Sequence, residues 1–413
     1  MAALAAGGAK RKAALGFIFV TALIDVMSLG LIIPVFPKLV ESFESGDTAR
    51  AAEMLGLFGT AWALMQFIFS PILGMLSDRF GRRPVLLVSI FGLGIDYVLM
   101  ALSPSLIWLF IGRLISGITA ASFTTASAYI ADITAPQDRA KSFGLIGSAW
   151  GVGFVLGPAL GGVLGAYGPR WPFWAAAALA LLNWLYGWLI LPESLPPDRR
   201  APFAWKKANP AGSLTLLRSR PDLLGLAGVN FLYMLSHNVL PSIFVLYTGF
   251  RYGWTAFDVG LMLAATGVAN IVVQAVLVGP AVRYLGERGA LLAGLAAGAA
   301  GFSIYGLAPE SAVFWLGIPV FALMGLVQPG AQALMTRLVG PSEQGQLQGA
   351  NSSIMGLTGI IGPGLFTLAF AWSIRGDRAA ALPGLAVLIA AAMMAVALGL
   401  AAYVTRHMAK AGR

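Results

Sequence analysis

The stretch FIFVTALIDVMSLGLIIP, residues 17–34, holds a single charge, Asp25. As a helix rising ~1.5 Å per residue it is about as long as a bilayer's hydrocarbon core is thick. A carboxylate near the middle of a bilayer costs at least ~3 kcal/mol, so such groups are rare and tied to transport or proton movement. Two more segments repeat the pattern. Asp96 lies within LLVSIFGLGIDYVLMAL (86–102), and Arg113 within IWLFIGRLISGI (107–118).

Working outward, 58% of the 413 residues are hydrophobic and only 11% are charged. A soluble domain carries about 25% charged residues. Twelve apolar runs reach spanning length, at 14–36, 53–74, 84–103, 105–128, 142–165, 172–191, 223–248, 256–280, 289–308, 312–335, 346–372 and 380–405. A transmembrane barrel would instead show short alternating strands. The fold class is therefore an all-α polytopic membrane protein of twelve transmembrane helices. The basic Lys10-Arg11-Lys12 precedes a first helix with no small-residue cleavage site, and it reads as an uncleaved span. With no cysteine in the chain, disulfides and thiolate metal sites are excluded.

The net charge of +10 is distributed asymmetrically. With both termini inside, twenty Lys and Arg residues face the cytoplasm and only Lys38, Arg50, Arg170, Arg251, Arg375 and Arg378 face outward. This is the positive-inside pattern, and it places both termini in the cytoplasm. Anionic lipid headgroups account for the basic surface, and no nucleic-acid partner is expected.

The longest polar connection, 192–222, separates an N-terminal bundle (1–191) from a C-terminal bundle (223–413). The two superpose at one offset of 205 residues: Gly74 on Gly279, Gly81 on Gly286, Arg83 on Arg288, Gly157-Pro158 on Gly362-Pro363 and Asp138 on Glu343. Several motifs agreeing at one offset indicate duplication. Two pseudo-symmetric six-helix bundles with a site near the midplane define a rocking-transporter architecture. The same offset places Asp25 on Asn230, Asp96 on Gly301 and Arg113 on Ile318, so intramembrane charge belongs to the N-terminal repeat alone.

The loop Gly74-Met75-Leu76-Ser77-Asp78-Arg79-Phe80-Gly81-Arg82-Arg83 resembles the signature loop of the major facilitator superfamily, and an ordinary topogenic basic loop is the plainer reading. The resemblance implies a charge network of Asp78 with Arg79, Arg82 and Arg83 that gates the cytoplasmic side. Arg113-Leu114-Ile115-Ser116-Gly117 is similar to the superfamily's buried-arginine motif, for which Asp25 is the expected partner. Gly153-Phe154-Val155-Leu156-Gly157-Pro158-Ala159-Leu160-Gly161-Gly162 resembles its antiporter motif. Small residues there admit close helix packing.

Helix one through Pro37, Ile95-Asp96-Tyr97 and Gln344-Gly345-Gln346-Leu347-Gln348-Gly349 are similar to the tetracycline-efflux branch of the drug:proton antiporters. The resemblance covers about residues 15–400. It implies a proton-coupled exporter of the bacterial inner membrane. The buried charges make Asp25, Asp96 and Arg113 the candidate proton-coupling residues. The polar residues His237, Asn230, Asn270, Gln274 and Gln328 are candidates for the cavity or for helix–helix contacts, Gln274 matching the branch best. The chain departs from the branch at two positions, where Asn270 and Gly298 replace an expected histidine and aspartate.

Each candidate has a plainer reading. The buried charges can serve structure alone, Asp96 can contact a cationic substrate, and His237 can brace the helix near Pro241. The aromatics Trp62, Phe67, Trp150 and Tyr233 can be packing or pocket wall. Asn351-Ser352-Ser353 is a formal glycosylation sequon within an apolar helix. No phosphate-binding loop, metal-ligand spacing or nucleophile–base pair occurs, so neither ATP-driven transport nor an enzyme is expected.

The expected function is proton-coupled export of a hydrophobic small molecule, with a tetracycline as candidate cargo. A symporter or metabolite exporter on the same fold is the alternative. No catalytic or metal site and no cofactor are expected beyond protons; Mg²⁺ would travel only as a chelate of the substrate. The working unit is expected to be a monomer.

Overall fold

The computed structural model describes residues 2–120, 122–134, 138–201, 212–340, 343–376 and 382–411. Eleven helical stretches among them are long and apolar enough to cross a membrane. They are α1 (Gly16–Phe43), α2 (Thr48–Phe80), α3 (Arg82–Leu102), α4 (Leu106–Ile133), α5 (Gly147–Tyr167), α6 (Trp171–Ile190), α7 (Pro221–Tyr252), Ala256–Leu307, α10 (Ser311–Arg337), α11 (Gln344–Ser373) and α12 (Leu385–His407). The stretch Ala256–Leu307 has 52 residues, far more than one crossing needs. It breaks at Gly286, where φ is +71°, into α8 and α9, which restores the expected twelve.

The duplication is visible in the backbone. Gly81, the partner of Gly286, also has positive φ, at +107°, and ends the turn between α2 and α3. An L side chain rarely adopts that conformation, so glycine is required at both turns. Asp138 and Glu343 each stand at the N-cap of the helix that follows, and Pro158 and Pro363 each lie inside a helix.

The chain forms two compact units. The first comprises Met1–Leu39, Ala61–Ala208 and Thr255–Ala264. Its core joins Phe17, Ile18, Leu86, Ile90, Tyr129 and Leu191, and the Tyr129 hydroxyl donates to the Pro192 carbonyl at 2.8 Å. The antiporter-like glycines supply its tightest seam. A Cβ on Gly157 would lie 2.8 Å from the α-carbon of Gly30, and one on Gly153 would lie 2.9 Å from the Val26 Cβ. Gly161 backs onto Leu31, while Gly162 turns to Ala256 and Phe257. Pro158 meets Gly30 directly.

The second unit comprises Val40–Thr60, Asn209–Trp254 and Ala265–Arg413. An aromatic cluster organises it: Tyr305 stacks on Phe314 at 4.2 Å between centroids, and the Tyr247 hydroxyl donates to the Tyr305 carbonyl. Helix α7 bends at Asn238, whose side-chain amide donates to the Met234 carbonyl at 2.8 Å.

Candidate functional site

Helices α1, α3 and α4 bring the intramembrane charges to one place. A cavity of about 170 Å³ in the first unit is lined by Asp25, Tyr97, Arg113, Trp62, Gln66 and Trp150, among others. Asp96 is fully buried beside it, and its Oδ2 accepts from the Arg113 guanidinium. The expectation that Asp25 pairs with Arg113 is thus corrected: the arginine on α4 takes the carboxylate of adjacent α3. Gly112 makes this possible, since a Cβ there would come within 2.5 Å of Asp96 Oδ1.

The remaining polar edges are sparsely satisfied. Asp96 Oδ1, Arg113 Nε and the Tyr97 hydroxyl are buried with no hydrogen-bond partner among the described residues. The Arg113 guanidinium also lies 5.4 Å from the centre of the Phe36 ring, a cation–π distance. Asp25 is held differently. Asn183, buried on α6, donates to Asp25 Oδ1 at 3.4 Å, and its own Oδ1 accepts from Thr21 at 3.2 Å. Asn183 was not among the expected residues. A lone asparagine in an alanine-rich helix gives no pattern in sequence, only the polarity of one residue.

At the turn between α2 and α3 the expected charge network is narrower than the motif suggests. Arg82 bonds Asp78 and, at 3.0 Å, Asp132 at the end of α4. Arg79 instead lies over the ring of Phe80, and Arg83 donates to the Trp188 carbonyl at 2.6 Å. Gly74 has no close neighbour, so Gly81 alone serves the turn. Glu193 completes the arrangement: its carboxylate accepts from the backbone amides of Arg82 at 2.8 Å and Arg83 at 3.3 Å. A carboxylate on the first amides of a helix satisfies donors that have no partner within the helix.

The expected residues of the second repeat fall in three places. Asn230 and Gln328 line a cavity of about 50 Å³ together with Gln332, Gln348 and Asn351. Asn270 and Gln274 converge instead on Gly325, with Gln274 donating to its carbonyl at 3.3 Å. Gln274 sits in a π-helical turn, Val273–Leu277, packed on the tight turn Leu323–Leu326 of α10. His237 lines neither of these cavities; its ring lies 6.4 Å from that of Tyr233, and its side chain is exposed. Of the aromatics, Trp62 and Trp150 reach the first cavity and Phe67 does not. At Gly298 a Cβ would meet Met324 and Met394 at once, so a larger side chain there requires these methionines to shift.

Comparison with known proteins agrees with the all-helical fold. The model of the Major Facilitator Superfamily matches residues 18–363. The tetracycline resistance protein, class C, of Escherichia coli is 40% identical over 94% of this chain and 96% of its own length. The class G protein of Vibrio anguillarum is 38% identical over 83% of this chain and 87% of its own. Among solved structures, the human organic anion transporter MFSD10 (TETRAN) aligns with a TM-score of 0.69 at 24% identity, covering 95% of this chain and 99% of that one.

Proposed function

Because the chain belongs to the major facilitator superfamily, we propose that its buried Asp96–Arg113 pair and the facing Asp25 drive proton-coupled export of a tetracycline-like drug. The protein is a multi-pass membrane transporter whose cargo is a small molecule. One observation carries the reading: Asp25 and Arg113 line a single cavity within apolar helices, and Asp96 pairs with Arg113 in the wall beside it.

The chemistry follows from desolvation. A buried arginine is stable only while a carboxylate faces it, and losing one partner of such a pair costs about 3–5 kcal/mol. A proton reaching Asp96 at Oδ1, the oxygen that bears no hydrogen bond, neutralises the partner of Arg113. Arg113 then turns to Asp25 on the same cavity, which displaces Asn183 and shifts α1 against α4. Protonation is thereby converted into a change in helix packing. The glycine seam between α1 and α5 lets α1 move with little side-chain rearrangement.

The bacterial relatives support an inner-membrane location, the charge asymmetry supports cytoplasmic termini, and the working unit is a monomer. Mg²⁺ enters only as a chelate of the cargo.

The test is purified protein in liposomes with a pH dye inside and Mg²⁺–tetracycline added outside. Substrate-driven proton movement that disappears in both Asp25→Asn and Asp96→Asn supports the reading. Tetracycline flux indifferent to the pH gradient and to both substitutions would sink it.

A further inference from the structure

The second repeat contains a polar recess that the proton machinery does not use. Its cavity of about 50 Å³ has room for about three or four waters. Asn230 on α7, Gln328 and Gln332 on α10, and Gln348 and Asn351 on α11 supply the polar lining, and no lining residue is charged. The amides form a relay: Asn230 donates to Asn351 at 3.2 Å, and Asn351 donates to Gln332 at 3.0 Å. The relay ends at Gln332 Nε2, a buried donor without an acceptor among the described residues.

A buried donor left unsatisfied is destabilising, and an incoming acceptor removes that cost. A cation in this recess would have no counter-charge, and its desolvation would go uncompensated. A neutral carbonyl does better, because it accepts from Gln332, and a neighbouring NH or OH can donate to the free oxygens of the other amides. Asn230 and Asn351 lie two to three turns inside α7 and α11, measured from the ends that the charge asymmetry assigns to the cytoplasm.

We infer that the Asn230–Asn351–Gln332 relay is a binding subsite for the neutral amide or keto–enol edge of a substrate entering from the cytoplasm. It selects uncharged hydrogen-bonding groups, while charge is handled in the first repeat. The inference rests on the proposed function only for the choice of tetracycline as a probe.

The absence of native cysteine gives a clean test, because Gln332→Cys places the sole thiol in the recess. A second variant, Met234→Cys, puts a thiol on the same wall and leaves the relay intact. Maleimide labelling of each, in membranes with the full chain, is followed with tetracycline, chloramphenicol (a neutral amide) or tetraphenylphosphonium (a cation with no acceptor). The exposed Asp198→Cys serves as the reference thiol.

Both amide-bearing compounds are expected to slow labelling of Met234→Cys at least fivefold, to protect Gln332→Cys, which lacks the relay's terminal donor, much less, and to leave the reference unchanged, with no effect from the phosphonium. Unchanged labelling of Met234→Cys by both amides, or equal protection of Gln332→Cys, would overturn the inference, even in a protein that moves tetracycline. Equal protection by the phosphonium would overturn the selectivity for neutral groups. Protection by chloramphenicol in a protein that moves no tetracycline would end the cargo assignment and keep the subsite.

Discussion

The two repeats share turns, caps and prolines inside helices, yet their polar chemistry is opposite. Where the first repeat has Asp25, Asp96 and Arg113, the second has Asn230, Gly301 and Ile318. Near the loop ends the signs are inverted: Asp78, Arg82 and Asp132 correspond to Arg283, Glu287 and Arg337. The pair Arg82–Asp132 at 3.0 Å thus has Glu287–Arg337 at 2.7 Å as its mirror in charge. Backbone conformation was kept because the turn glycines and caps are needed wherever a helix pair is joined. Charge diverged because a buried ion pair is costly and survives only where it is used.

The largest effect is expected from giving the first repeat the residues of the second. Asp96→Gly should leave Arg113 buried without its carboxylate, abolish substrate-driven proton movement and lower the yield of folded protein. Pairing it with Arg113→Ile should restore thermal stability in detergent and leave coupling absent. If the double variant still couples, Asp25 alone suffices and the pair is structural.

Next in size is the helix seam. Gly157→Val forces a side chain against the backbone of α1 at Gly30, where nothing can give way. Transport should fall at least tenfold while the protein still folds. Activity near the parent value would mean that α1 and α5 need not stay close.

A sharper comparison exchanges charges in each pair. Swapping Glu287 and Arg337 should leave transport within about twofold, because Arg337 is 70% exposed and an exposed pair contributes at most about 1 kcal/mol. The same swap of Arg82 and Asp132 should cost about tenfold more, since the new acid at 82 would face Asp78 and Ser77, both of which bond Arg82. Equal tolerance of the two swaps would show that the loops are interchangeable.

The smallest effect concerns Asn183, whose counterpart is Leu388. Asn183→Leu removes one hydrogen bond to Asp25, worth ~1 kcal/mol or about fivefold in an equilibrium. Substrate-driven proton movement in liposomes should slow by up to that factor, because Asp25 loses the donor that orients its carboxylate. A rate equal to the parent's would place Asn183 outside the coupling machinery.

Much was legible in the sequence because bilayers impose simple rules. Length, hydropathy and the lysine–arginine asymmetry are read from composition alone, and the 205-residue repeat from matching glycines and acids. Gly286 and Gly81 illustrate this: turns that demand positive φ leave glycine behind in both copies. The intramembrane charges were equally plain, since each is isolated in an apolar run.

Tertiary structure decided which of these residues meet. Helical periodicity says which face a side chain occupies, but not which neighbouring helix that face meets. Arg113 therefore found Asp96 on α3 in place of Asp25 on α1, through the gap left by Gly112. The partners that complete each site, Asn183, Asp132, Glu193 and Gln332, come from other segments of the chain. As lone polar residues they have no signal until the helices pack. The sequence by itself determined that charges are buried in this membrane and where they lie along each helix. Packing alone decided how they are paired, because pairing depends on inter-helix distances that no local pattern encodes.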